Sequence, residues 1–139
     1  MTAMTPLTGL SHLDLSVSDR HTSARWYAGV LGFEIRGDRF NETARLPWVH
    51  LMHPCGLSMG LVEHPGNPGE PFDERRCGLD HVSFAATTRD DIDELERRAL
   101  EHGVEDVTVN DTAHATLLVL RDPDRIQVEV CLWKVPTSD

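Results

Sequence analysis

A chain of 139 residues, 40% hydrophobic and 26% charged, has the length and balance of one well-buried domain, or of two small modules sharing a core. Its net charge is −10, and its cations are 12 arginines and the single Lys134, with no basic cluster. That excludes nucleic acid and anionic membranes as expected partners, because Lys/Arg neutralisation of phosphate holds both. The most apolar stretch, residues 115–120, broken only by Thr116, is far short of the ~20 residues of a membrane span. Residues 1–6 lack the basic and apolar regions of a secretory signal, and Cys55, Cys77 and Cys131 form no Cys-x-x-Cys pair. Both features suit a reducing cytoplasm.

The first predicted element is a strand in which Leu13, Leu15 and Val17 alternate with His12, Asp14 and Ser16. A helix of about a dozen residues follows, with Ser18 or Asp19 as N-cap, Tyr27, Val30 and Leu31 on one face, and Gly32 as its stop. Residues 33–36 suit a short strand, and residues 45–52 and 57–63 two more around the Pro54/Gly56 turn. Pro65, Pro68 and Pro71, with Gly66 and Gly69, mark residues 65–77 as a linker. The order then repeats. Residues 81–86 form a strand, and Thr88 with Asp91 a capping box for a helix with Ile92, Leu95 and Ala99 on its apolar face, ending at Gly103. Residues 107–109, 115–120 and 126–132 supply three strands.

The repeat is visible in the letters as well. Gly9-Leu10-Ser11-His12 recurs as Gly78-Leu79-Asp80-His81, and His53-Pro54-Cys55-Gly56 as Asp122-Pro123-Asp124-Arg125, both at an offset of 69 residues. The expected fold class is therefore α+β, with two tandem βαβββ modules, residues 1–64 and 78–139, in one compact domain.

Strand parity separates two kinds of face. The apolar parity suits packing under the helices, leaving His12, Asp14, His81, Ser83 and Glu129 on the other. One side of an antiparallel sheet is often merely wetted. Two repeat-related histidines and a glutamate sharing one parity nevertheless suggest a metal site of His12, His81 and Glu129, the two-histidine, one-carboxylate set that leaves open positions. The repeat places Gly60 opposite Glu129, a vacancy fit for water or substrate; Glu63 reaches the site only if a bulge re-aims it.

These residues resemble the vicinal oxygen chelate superfamily, which groups glyoxalases, fosfomycin-resistance transferases, methylmalonyl-CoA epimerases, extradiol dioxygenases and bleomycin-binding proteins. The resemblance rests on residues 7–17, 26–33, 78–84 and 121–129. It implies an eight-stranded cup with helices outside, a homodimer, and one divalent metal ion (Fe, Mn, Ni or Zn) on His12, His81 and Glu129. Gly60 stands where glyoxalases and epimerases add a fourth ligand. Residues 110–116 lack the Ser- and Tyr-rich pattern of the fosfomycin enzymes, and Arg125 replaces the usual Gly or Asn of the turn.

The function so implied is that of a metal-dependent enzyme acting on a small molecule with adjacent oxygens, of dioxygenase, lyase or isomerase type. Asp14 is a candidate general base or support for the ligands. His50 and His114 are unplaced acid/base candidates. The alternative is a metal-free protein, similar to bleomycin-binding proteins, that sequesters a cationic small molecule in an acidic groove between subunits. The acidity and Trp48, Phe72 and Trp133 are compatible with it.

Overall fold

Asp19 opens the first helix by accepting hydrogen bonds from the His21 and Thr22 amides at 3.0 and 2.9 Å, and Gly32 closes it at φ 79°, where a Cβ is disfavoured. In the computed structural model, which describes residues 5–134, this helix, α1 (Arg20–Leu31), follows β1 (His12–Ser16). It precedes β2 (Glu34–Asn41), β3 (Leu46–Met52) and β4 (Ser58–Val62). The second half repeats the order as β5 (Val82–Ala85), α2 (Arg89–Glu101), β6 (Thr108–Asp111), β7 (Ala115–Arg121) and β8 (Gln127–Trp133). Thr88 and Asp91 form the reciprocal capping box of α2. The expected module ends at residues 1–4 and 135–139 lie outside the described residues.

The tandem α+β architecture is therefore present. Its strands form two four-stranded sheets, ordered β1-β4-β3-β2 and β5-β8-β7-β6, without closing into one barrel. Within each, the first strand pairs parallel with the fourth, and the other pairs are antiparallel. β1 and β5 thus end as sheet edges in the single chain, and Leu7, Leu10 and Leu79, just before them, are exposed.

The apolar parity makes one continuous core across both modules, including Leu15, Tyr27, Leu51 and Leu61 from the first and Ile92, Leu118, Leu120 and Val128 from the second. Each helix packs on its own sheet and also on the other helix. At that seam the Arg98 guanidinium donates to the Gly29 carbonyl at 2.9 Å, and the rings of Phe33 and Phe84 meet edge-on at 5.9 Å. The Tyr27 hydroxyl donates to buried Asp122 at 2.8 Å. With the core built from the helix-bearing sides, the polar sheet faces are turned away from it.

Several strand ends differ from the sequence expectation, β6 among them at Thr108–Asp111 instead of 107–109, and two of the differences have a visible cause. β2 runs to Asn41 rather than ending at residue 36, because a register shift between Ile35 and Gly37 breaks the alternation that marks a strand. Arg45, expected in β3, instead closes the preceding turn at φ 55°. No helix among the described residues is long and apolar enough to cross a membrane.

Candidate metal centre

The second module brings two of the three expected ligands together. Glu129 lies on β8 in register with Ser83 of β5, and the Ser83 hydroxyl donates to its Oε1 at 3.1 Å. His81 precedes β5, and its Nε2 stands 3.9 Å from the same Glu129 oxygen. Its Nδ1 faces the Asp80 carboxylate at 2.7 Å, a contact that orients the ring and turns Nε2 toward Glu129. The Glu129 side chain is only 13% exposed, so the carboxylate is aimed and partly dried before any ligand arrives. Two Nε2/Oε1 donors less than 4 Å apart, each held by a neighbour, fit two ligands of one small cation.

The first module carries the third. His12 opens β1, with Nδ1 at 3.0 Å from the Ser11 hydroxyl, so the residue before each histidine occupies the ring nitrogen nearer the backbone in both modules. His12 lines a hollow of about 700 Å³ on the polar face of the first sheet, together with Asp14, Trp48, Ser58, Gly60 and His64. No lysine or arginine lines it. His81 and Glu129 do not line it either, and no group of three or more His, Cys, Asp or Glu side chains converges on one point among the described residues. One chain thus brings His81 and Glu129 together and holds His12 on a separate face.

Position 60 is crowded against a side chain unless Asp14 turns away. Asp14 and Gly60 are register partners, and a Cβ built on Gly60 would collide with the Asp14 carboxylate, with Trp48 Cε3 a further 3.3 Å neighbour. Glu63 is engaged elsewhere: its carboxylate accepts from Arg20, whose guanidinium also bonds Asp38 at 3.1 Å. His50 sits opposite Gly60 on β3, its Nε2 at 3.0 Å from Ser58 Oγ and its ring against Trp48. His114 lies in the β6–β7 loop. Cys131 follows Glu129 by two residues but is buried, and burial, then the Glu129 charge, pushes its thiol pKa up, away from reactive thiolate.

Ser83 and Asp80 were missed as supporting groups. Asp80 had a signal, because Ser11 and Asp80 precede the two histidines at equivalent places. Ser83 had none in one dimension, since its partnership with Glu129 needs the β5–β8 register. A second hollow of about 720 Å³, walled by Phe33, His53, Phe84, Leu95 and Arg98 at the seam, contains none of the candidate ligands.

Comparison with known proteins places the fold in a family. The sequence profile of the Glyoxalase/Bleomycin resistance protein/Dioxygenase superfamily matches residues 9–130. An uncharacterised Escherichia coli (strain K12) protein, YaeR, is 27% identical over 130 residues, covering 91% of this chain and 98% of YaeR. The crystal structure of a glyoxylase/bleomycin resistance protein/dioxygenase domain from Frankia sp. EAN1pec superposes with a TM-score of 0.86 at 35% identity, covering 94% and 95% of the two chains. FosX, the fosfomycin resistance protein of Listeria monocytogenes, solved with Mn(II) and sulfate, shares the fold at a TM-score of 0.66 and 20% identity, over 91% and 93%.

Proposed function

Because this chain belongs to the glyoxalase/bleomycin resistance protein/dioxygenase superfamily, we propose that it is a divalent-metal-dependent enzyme acting on a small molecule with adjacent oxygens, by dioxygenase, lyase or isomerase chemistry. The observation that carries this reading is the held pair of His81 Nε2 and Glu129 Oε1, 3.9 Å apart, with no arginine or lysine among the described residues paired to the carboxylate. The Mn(II) bound by FosX, which shares this fold, supports a divalent ion in that role.

The third ligand, His12, comes in this proposal from a second copy of the chain. The unpaired β1 and β5 edges and exposed Leu7, Leu10 and Leu79 support such a pairing, since open edges and adjoining apolar residues are the parts of a sheet that association covers. Two copies related by a twofold axis would then make two equivalent sites, each with His12 from one chain and His81 and Glu129 from the other. When bound, the metal would polarise two adjacent substrate oxygens and stabilise negative charge developing on them. The protein's own part is to hold both imidazoles by Nδ1 through Ser11 and Asp80, and to fix Glu129 through Ser83. Trp48 and Phe40 give the neighbouring hollow apolar walls that suit a small organic substrate.

A second reading rests on the same hollow. Aromatic walls, Asp14 and the lack of lining Lys or Arg also suit metal-free capture of a cationic small molecule. Metal content decides between them. Plasma mass spectrometry of tag-free protein should find near-stoichiometric metal that His81→Ala removes; metal-free protein that no divalent ion reconstitutes would leave the capture reading. Mixing tests the cross-chain site. His12→Ala and His81→Ala each destroy both sites of their own dimer, but a mixed dimer keeps one whole site, so random remixing should restore about a quarter of wild-type uptake. No restoration would place all three ligands in one chain.

A further inference from the structure

The two modules treat the same pair of positions in opposite ways. In the second, β5 offers a hydroxyl (Ser83) and β8 a carboxylate (Glu129), joined by a 3.1 Å hydrogen bond across a parallel register pair. The 69-residue offset maps Ser83 onto Asp14 and Glu129 onto Gly60, which are likewise parallel register partners. In the first module, therefore, the carboxylate is on the first strand and the fourth strand has no side chain. It also lies against residue 60: Asp14 Oδ1 stands in clash range of the place where the first carbon of a residue-60 side chain would be.

Resting on the metal reading above, we infer that Asp14 is the first module's carboxylate of the site, transposed by one strand. It is a positioning residue that accepts a hydrogen bond from the water or substrate hydroxyl in the metal's open position. The reach supports an indirect contact over a direct one. A glutamate at 60 would carry its carboxylate on two methylenes, whereas Asp14 carries its own on one. A bridging water or hydroxyl spans a gap of that kind with an O–H···O hydrogen bond of about 2.7 Å. An acceptor there, in a hollow without lining Lys or Arg, favours ligands that present a hydroxyl and disfavours fully ionised phosphonates or phosphates.

The test is Mn(II) titration, read by electron paramagnetic resonance of the free ion and by water-proton relaxation of the bound ion. The proteins are wild type, Asp14→Ser, Gly60→Glu, the two together, and Glu129→Gln. Asp14→Ser should weaken Mn(II) binding roughly 10-fold, within the range for groups that support ligands indirectly. Gly60→Glu alone should not tighten it, because Asp14 obstructs the new side chain. The double variant recreates the Ser83/Glu129 arrangement in the first module; it should bind at least about 10-fold tighter than Asp14→Ser and show weaker relaxation, one coordinated water having been replaced. Circular dichroism and size-exclusion chromatography check folding, and Asp14→Asn serves if the serine variant misfolds.

Gly60→Glu matching the double variant would overturn the inference, as would Asp14→Ser or Asp14→Asn with wild-type affinity and relaxation. If Glu129→Gln loses Mn(II) while Asp14→Ser does not, the inference alone fails. If wild type and Glu129→Gln take up equally little, the metal reading fails and this inference with it. Methylphosphonate probes the selectivity: it should alter relaxation more in Mn(II)-loaded Asp14→Asn than in wild type, and equal effects would overturn the anion discrimination.

Discussion

The two modules share a fold and divide the work. The second holds the candidate ligand pair, in which His81 and Glu129 approach to 3.9 Å with Asp80 and Ser83 behind them. The first has His12 with one hydroxyl partner and spends its sheet face on a 700 Å³ hollow walled by Trp48 and Phe40. Duplication supplied two copies of one scaffold, in which the apolar parity had to be kept in both because each helix needs it. The polar parity was free to diverge. In the proposed site one copy serves as the ligand clamp, and the other as a binding surface with one ligand at its rim.

This asymmetry predicts a graded series. Glu129→Gln removes a charged ligand and should cost more in metal affinity than any substitution of a supporting group. Ser83→Ala, which leaves the ligand but frees its rotamer, should cost about 10–100-fold. Ser11→Ala should cost least, because His12 is exposed and less constrained than the His81–Glu129 pair. Chelator-competition titrations of the three variants check the order, and a Ser11→Ala effect equal to that of Ser83→Ala would break the contrast between the modules.

Where the modules meet, Tyr27 of the first donates to Asp122 of the second, and the other Asp122 oxygen accepts from the Asp124 and Ile126 amides at 2.9 Å each. Burial pushes the Asp122 pKa up to about 6, against the lowering effect of Tyr27 and those amides. A carboxyl whose pKa is raised by folding stabilises most while it is protonated in both states. Its contribution is full below pH ~4 and is lost as pH rises through ~6, a change of about 3 kcal/mol. Urea unfolding between pH 4 and 7 should therefore show wild type losing stability relative to Asp122→Asn. Tyr27→Phe should destabilise by roughly 1–3 kcal/mol while leaving metal affinity intact, because it strands a buried acceptor far in sequence from the ligands. Loss of metal in that variant would mean that the seam, and not the sheet faces alone, sets the site.

Most of the architecture was legible because hydrophobic period, caps and repeat agreed: Asp19, Gly32 and the Thr88/Asp91 box bound the helices where the sequence placed them. The far half of β2 was not, because Arg36, Asp38 and Arg39 around the Gly37 bulge erase the alternation on an edge strand that needs little apolar surface. Within the candidate site, parity placed Glu129 on the polar face of its strand, and the structure sets His81 beside it. What parity cannot give is distance between strands. The His81–Glu129 approach, the Ser83 hydrogen bond and the contest between Asp14 and residue 60 all depend on parallel register, which the chain sets through residues far apart in sequence.

The smallest expected effect lies at the two equivalent turns. Gly56 and Arg125 occupy the same place between the third and fourth strands of their modules, and both are left-handed, at φ 98° and 68°. Glycine adopts that conformation without penalty, whereas an L side chain pays roughly 1 kcal/mol. Arg125 recovers part of this through an exposed ion pair with Asp106, and pairs of that kind are worth about 0–1 kcal/mol and fade with salt. Arg125→Gly should therefore change stability little at low salt and raise it by up to ~0.5–1 kcal/mol at high salt, where the ion pair no longer offsets the strain. Thermal unfolding at two ionic strengths measures the difference. If the variant is less stable at both, Arg125 is held by more than Asp106, and the two turns are less equivalent than their shared backbone suggests.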